Sequence, residues 1–581
     1  MSSPSLNVSD ATPPPSPLAA VLVPLLLTGC PGLLGNTTAS AEGDTTTTTT
    51  DGPPPTTNPD LTTTGFMLEC YPGTQRCDPQ NPGMVQECKD TGLAWDSLPC
   101  LGLEECVEEG EGVATCVGPC EKIDNQTSVG CEFLAIRMNS FNFADTDKDV
   151  LIVGNTDTTR TAEIQLWFTP NNSFTEEPLF EPVLLGPGES HIFDVVNETL
   201  KGYTAFRTGG VFRVESDVPV TAYLHSALAN TASNDSSMLL PTKTLRQDYV
   251  IASYPGFADP MKPDEINGRP SYFNVIAVED GTTVEWVAPR DTAAQGVLIP
   301  AVPAGEKGTI TLNRFDVLQI GSSSATNMDM ITHDLSGTVV TADKPIWVMG
   351  ATECAFVPFD VGYCNHLQEQ MIPLEYWGKK YVGPHSPSRA MEKHYWRIYA
   401  GKDGVTVTIE SNDAGVKIPP LTLVKRGDWK EIEVPHNASL IFTATGPILP
   451  VQYLTGGKAA DNIGDPAMYQ MIAVEQWLNR YVVVTGIGYD LNYAQVIRKK
   501  GSADVTINGQ TVTGWYLING TGADNQWEVA DYQLMDGAEA RSYVAESTDP
   551  FNIVVLGYQP GIPSSAYAYP GGMNLKKIYT P

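Results

Sequence analysis

Thiols, imidazoles and carboxylates are the side chains here that can do chemistry, and their spacing decides which chemistry. Cys364 stands two residues before His366, the two residue types from which a thiolate nucleophile and its base are made. Adjacency along a chain is no evidence of adjacency in a fold, and the simpler reading is a disulfide between Cys354 and Cys364, a structural corner beside Asn365 and His366. The seven histidines, His191, His225, His333, His366, His385, His394 and His436, are dispersed. The closest pair, His385 and His394, lies near Tyr395 and Trp396 and reads as packed surface residues. Asp145, Asp147 and Asp149 alternate in a way that directs oxygens at calcium, but an EF-hand needs Gly and Glu where Val150 and Thr156 stand. A polar turn is the preferred reading, with calcium the weaker alternative, and no other cofactor is indicated. Phosphate-binding glycine loops, the paired-histidine zinc helix and the serine nucleophile elbow are all missing from the sequence. Among 68 acidic residues a carboxylate pair for glycoside hydrolysis cannot be recognised, because its members come from distant segments. The expectation is a protein without catalysis.

The remaining cysteines point to export. Cys70, Cys77, Cys88, Cys100, Cys106 and Cys116 crowd a segment too small to hold itself together by apolar burial. Zinc is disfavoured, since no two cysteines are separated by two residues and no histidine precedes His191. Residues 67–119 therefore read as a disulfide-rich module with Val85 and Trp95 as a sparse core, its connectivity open. Cys120 and Cys131 make a further local pair. Cys30 ends an apolar run over residues 18–30 that is too short to span a membrane and reads as a signal-peptide core. Leu27, Thr28, Gly29 and Cys30 resemble the lipobox of bacterial lipoproteins, which implies acylation of Cys30. An ordinary secretory signal with an unmodified cysteine is the other reading. Residues 30–66, with six threonines at 45–50 and prolines at 53–55, cannot offset their ordering entropy and read as a tether.

Elements able to position such residues are strands. The chain has 581 residues, 41% of them hydrophobic, enough for several cores. Its formal net charge is −33, spread through the body, which excludes nucleic acid as a natural partner. From residue 130 onward short runs alternate apolar and polar residues, rich in Val, Ile, Thr, Tyr and Phe and broken by Gly, Asn, Asp and Pro. Residues 272–286 read as a hairpin turning at Asp280-Gly281, and residues 395–409 as another turning at Asp403-Gly404.

Two marks recur. Pro219, Pro345, Pro447 and Pro550 each sit between two strand-like runs, and are expected at a strand entry or edge where a missing N–H costs no ladder bond. Between them Met371-Ile372, Trp377 and Tyr381-Val382 return as Met471-Ile472, Trp477 and Tyr481-Val482, with a looser copy in Met238, Leu240 and Tyr249-Val250. The body thus reads as four units, 120–230, 231–353, 354–457 and 458–581, each of about 100 residues, the size of a β-sandwich. The fold class is all-β, tandem sandwich-like units behind a small disulfide-rich module, with a β-propeller as alternative.

These residues carry a resemblance. Residues 233–241, Asp334 through Pro345, Cys364 through Met371, Trp377-Gly378-Lys379, Gly464-Asp465-Pro466 and residues 566–572 are together similar to the IgGFc-binding protein N-terminal domain family, found in bacterial surface lipoproteins. The resemblance spans about residues 130–581 and implies an extracellular binding or adhesive role, but carries over no catalytic residue and no immunoglobulin site. The expectation is a lipid-anchored protein of the outer membrane or cell surface that binds an extracellular protein or glycan and meets the membrane only through its N-terminal lipid. An exported carbohydrate-active hydrolase and a structural envelope protein are the alternatives.

Overall fold

The structure, a computed structural model, describes residues 68–581 apart from 111, 122–126, 141–148, 201–202, 227–232, 258–269, 324–331, 523, 535–539 and 562–564. Cys30, the tether, Asp145 and Asp147 lie outside the described residues. Among the described residues the elements are strands and one-turn 3-10 helices.

Five short strands build the N-terminal module, from Gln75–Asp78 to Val113–Val117. Disulfides join Cys70 to Cys88, Cys77 to Cys106 and Cys100 to Cys116. Val85 and Ala114 are buried among them, whereas Trp95 is only half-buried under the Arg76 guanidinium, 4.1 Å from its ring. Two further disulfides join Cys120 to Cys131 and Cys354 to Cys364.

Four units follow, each built on seven corresponding strand positions, with an extra short strand in the first (Glu177–Pro178) and in the fourth (Tyr516–Asn519), and with Ala205–Thr208 laddered onto the second. The sixth strand of each is long: Val211–Ser226, Val339–Ala355, the pair Leu440–Ala444 and Ile448–Tyr453, and Ser542–Gln559. In the second unit its N-terminal half ladders with the first strand, Arg246–Val250, and the third, Thr282–Val287. Its C-terminal half ladders with the second, Ser271–Ala277, and the seventh, Asn365–Gln370. The fourth strand, Lys307–Leu312, extends the third, and the fifth, Asp316–Gly321, extends the second. One strand thus serves both layers of a sandwich, and the same pairing recurs in the other units. The joint prolines explain how. Residues 217–219, 343–345 and 547–550 have no ladder partner on either side, so Pro219, Pro345 and Pro550 fall where the sixth strand changes sheets; Pro447 fills the break in the third unit. They stand inside a strand rather than at its entry, yet their missing N–H still leaves no ladder bond unmade.

This topology overturns both expected hairpins. Strands Ser271–Ala277 and Thr282–Val287 never pair with each other, nor do His394–Ala400 and Val405–Ser411. Each lies against a different half of the sixth strand, so the chain crosses between layers at the glycine corners, Gly281 (φ +65°) and Gly404 (φ +69°). A positive-φ corner serves an arch between sheets as well as a turn within one.

The second repeated mark ties to the first through a hydroxyl. Tyr249 donates to the Ile346 carbonyl (2.7 Å) and accepts the Arg246 N–H (3.0 Å). Tyr381 does the same with Ile448 (2.6 Å) and Gly378 (2.9 Å), and Tyr481 with Phe551 and Leu478. Each carbonyl belongs to the residue after a joint proline, so the first strand is pinned where the sixth changes sheets. In the first unit Gly130 pairs with Val220 as Arg246 pairs with Ile346, and three residues on stands Phe133, without a hydroxyl; there the Cys120–Cys131 disulfide anchors the strand. Tyr381→Phe leaves the Gly378 N–H and the Ile448 carbonyl without this partner inside the core, and is expected to cost about 1–3 kcal/mol, read as a lower urea midpoint at unchanged slope.

Candidate functional site

The seventh strands, Asp235–Met238, Asn365–Gln370, Met468–Gln470 and Ser565–Pro570, lie side by side, each next to its neighbours and the fourth next to the first. The four sandwiches therefore close a ring. Chain ends seal it: the Ser128 N–H donates to the Met573 carbonyl (2.8 Å) and the Met573 N–H to the Ser128 hydroxyl (2.9 Å). Tyr223 of the first unit donates to carbonyls of Val482 (2.9 Å) and Gly571 (2.8 Å) in the fourth. The repeat is sandwich-like within each unit and radial between units.

The axis is polar and buried. Asn365 donates to the carbonyls of Asn234 (2.7 Å) and Pro466 (2.7 Å) and accepts the Asn234 N–H (2.8 Å). Asp235 accepts N–H groups from Ser236 (2.8 Å), Gln368 (3.2 Å) and Met468 (3.2 Å), drawing three units to one carboxylate. Glu369 accepts from the Ser237 hydroxyl (3.3 Å) and the Gln470 amide (3.2 Å). Burial pushes both carboxyls well above the usual range, and the Asp235 charge adds to the effect on Glu369. Asp235, faced by three N–H donors, is occupied as an acceptor and is a poor ligand for a cation. Among the described residues no group of three His, Cys, Asp or Glu side chains could hold a metal ion.

The candidate residues of the sequence separate accordingly. Cys364 is in a disulfide. His366 Nδ1 lies 2.9 Å from the Thr352 carbonyl and Nε2 3.3 Å from Gln368 Oε1, and burial lowers its pKa to about 4, so the neutral ring serves as a structural link. His385 and His394, expected at the surface, are buried with ring centroids 5.7 Å apart. Asp149 is buried and its carboxylate accepts the Met138 N–H at 3.0 Å, a strand-end contact. Sequence reasoning assigned no role to Asp235 or Glu369 and did not single out Arg397; carboxylates inside otherwise strand-like, weakly charged runs were the available signal.

Ser271 pairs with Thr352 and Gly321 with Tyr272, so the sixth strand leaves the unit at the end where the second strand begins and the fifth finishes. Here the Cys354–Cys364 loop is pinned by the Gly456 N–H on the Val357 carbonyl (2.7 Å) and the Lys458 N–H on the Gly362 carbonyl (3.0 Å). It holds Phe359 52% exposed and Tyr363 39% exposed. Beneath it Asp465 accepts the Gly457 N–H at 3.0 Å, and burial raises its pKa to about 7 despite nearby Arg389. The folded chain then binds a proton that the unfolded chain has released between about pH 4 and 7, so stability falls as pH rises through that window, by at most ~1.4 kcal/mol per unit. Asp465→Asn is expected to flatten the dependence, checked by amide exchange of residues 456–464 at pH 5 and 8.

The chain thus builds a closed ring of β-sandwiches whose axial polar groups join the units. A family model described as IgGFc binding protein matches residues 235–557, over half the chain, and the chain belongs to that family. It is 25% identical over 384 residues to the human protein named IgGFc-binding protein, a match covering 65% of this chain and 6% of that much longer protein. The matched region holds the axial residues from Asp235 to Gln470, two of the four long sixth strands whole and all but the last two residues of Ser542–Gln559.

Proposed function

We propose that this chain is a lipid-anchored cell-surface protein that binds an extracellular protein or glycan without turnover, through the loops at the mouth of the ring. The observation that carries the reading is the disulfide-pinned loop presenting Phe359 and Tyr363 to solvent. Exposed aromatics on a preorganised backbone make contact at little entropic cost, the usual make-up of a binding hot spot. The name of the human relative supports a binding role, and Cys30 behind its apolar run supports the anchor. Envelope attachment through Thr-rich residues 30–66 would set the ring away from the membrane.

The test is an array of glycans and extracellular proteins, IgG Fc among them, probed with the chain, disulfides intact, with and without calcium. Saturable binding that Phe359→Ala weakens about tenfold or more supports the reading. Binding that Phe359→Ala leaves unchanged moves the site elsewhere, and loss of a bound glycan over time replaces a binder by a hydrolase. Cys30→Ser is expected to release the protein from the membrane fraction; persistence there removes the lipid anchor.

A further inference from the structure

Third strands carry the outer edge of each sandwich, and three of the four are covered. In the second unit Thr282–Val287 is laddered along its whole length by Lys307–Leu312. In the first, Ala162–Thr169 is met by Val183–Leu185 at one end and Glu177–Pro178 at the other, with the Leu179 N–H on the Leu166 carbonyl between them. In the fourth, Thr506–Ile507 is covered by Gln510–Thr511. The third unit differs. Val405–Ser411 is laddered by Leu421–Leu423 only at Val405, Thr406 and Val407. Past that point the returning chain carries Pro419 and Pro420, which have no N–H to donate, and it splays away.

The splay leaves a groove of about 590 Å³ between residues 409–411 and the 413–419 segment, closed at one side by Asn519, Gly520 and Thr521 of the fourth unit. That wall is fixed, because Glu410 accepts the Thr521 N–H (2.8 Å) and the Asn525 amide (2.7 Å). The floor's polarity follows from alternation. Thr445 donates to the Thr406 carbonyl and Asn412 to the Ser439 carbonyl, so even-numbered main-chain groups face the sixth strand. Ile409 and Ser411 therefore turn their N–H and C=O groups toward the groove, with Ile409, Val416 and Ile418 as apolar lining.

We propose that this groove is a strand-addition site, which takes one extended peptide segment of a partner protein onto the main chain of Ile409 and Ser411. All three sister units cover their third strand with a strand of their own, so the missing piece is strand-shaped, and open main-chain edges recruit extended chain. The proposal rests on the reading of this protein as a binder of an extracellular protein and locates one contact of that partner away from the axial mouth.

The probe is a blocked pentapeptide of alternating threonine and valine, added in excess to the full chain, with amide exchange followed over residues 404–424. Exchange at the groove-facing amides of Ile409 and Ser411 is expected to slow by about tenfold or more. The effect is expected to vanish in Ser411→Pro, which removes a groove-facing N–H, and in Ala414→Trp, whose indole fills the groove; unchanged exchange in Leu440–Ala444 shows that both remain folded. Unaltered exchange at saturating peptide, or equal slowing in both variants, overturns the site. If a protein from the array binds wild type and both variants alike, the binder stands and the groove is not its contact. If nothing on the array binds while the peptide still protects Ile409 and Ser411, the groove stands and the axial reading falls.

Discussion

Arg397→Met is expected to lower stability by about 3–5 kcal/mol, the usual cost of removing one partner of a buried ion pair. Arg397 is buried at the joint between the second and third units. Its Nη1 donates to Asp334 (2.6 Å), to the Ser336 hydroxyl (2.9 Å) and to the Ser253 carbonyl (3.0 Å), and its Nε to Glu431 (2.8 Å). Rings of Tyr254 and Trp429 lie 4.0 and 4.1 Å from the guanidinium carbon. Ser253, Tyr254, Asp334 and Ser336 come from one sandwich, Arg397, Trp429 and Glu431 from the next, so the cation cements two cores. Its loss leaves the Asp334 carboxylate without its cation away from water, whereas the Ser253 carbonyl keeps the hydroxyls of Ser336 (2.7 Å) and Tyr453 (2.8 Å). Arg397→Lys is expected to recover little, since a point charge cannot replace a planar fork sandwiched by rings. Arg397→Met combined with Asp334→Leu is expected to regain part of the loss by removing both charges. Urea unfolding of the three variants decides it, and a cost below ~1 kcal/mol for Arg397→Met would rule out the staple.

The second large effect is expected at the axis. Asn365→Ala removes one side chain whose two polar ends serve the Asn234 N–H and the carbonyls of Asn234 and Pro466, from two other units. Three buried main-chain groups then lose a partner, at about 1 kcal/mol or more each. Asn365→Asp is no substitute, because a carboxylate would face two carbonyl oxygens where the amide donates. The signature is where the loss falls: amide exchange should quicken in all four seventh strands together, whereas a merely local role would confine the change to Asn365–Gln370.

Legibility of this protein followed distance along the chain. Alternation with period two, turn residues and cysteine crowding are local, and from them came the all-β class and the disulfide-rich module, whereas the expected unit ends at 230, 353 and 457 fall one strand short, since Asp235–Met238, Asn365–Gln370 and Met468–Gln470 each pair with the sixth strand before them. Asp280-Gly281 was legible as a sharp corner, because only the local backbone decides that. Whether it closed a hairpin or an arch was not, since the choice lies in which half of Val339–Ala355 each flanking strand covers. The joint prolines and the tyrosines were visible as repeats, yet their hydroxyl-to-carbonyl link joins residues 67 to 97 positions apart.

What the amino-acid sequence determined by itself was therefore strand content, the four-fold repetition, the staples of the small module and the apolar run ahead of Cys30. Tertiary structure alone decided the closure of the ring, the convergence of Asp235, Asn365 and Glu369 on its axis, the enclosure of Arg397 and the open edge at Ile409. The physical reason is desolvation. A polar side chain inside a core is tolerated only when partners arrive to satisfy it, and the partners of Asn365, with the Gln368 and Met468 donors of Asp235, lie on other sandwiches, about a hundred residues or more away along the chain.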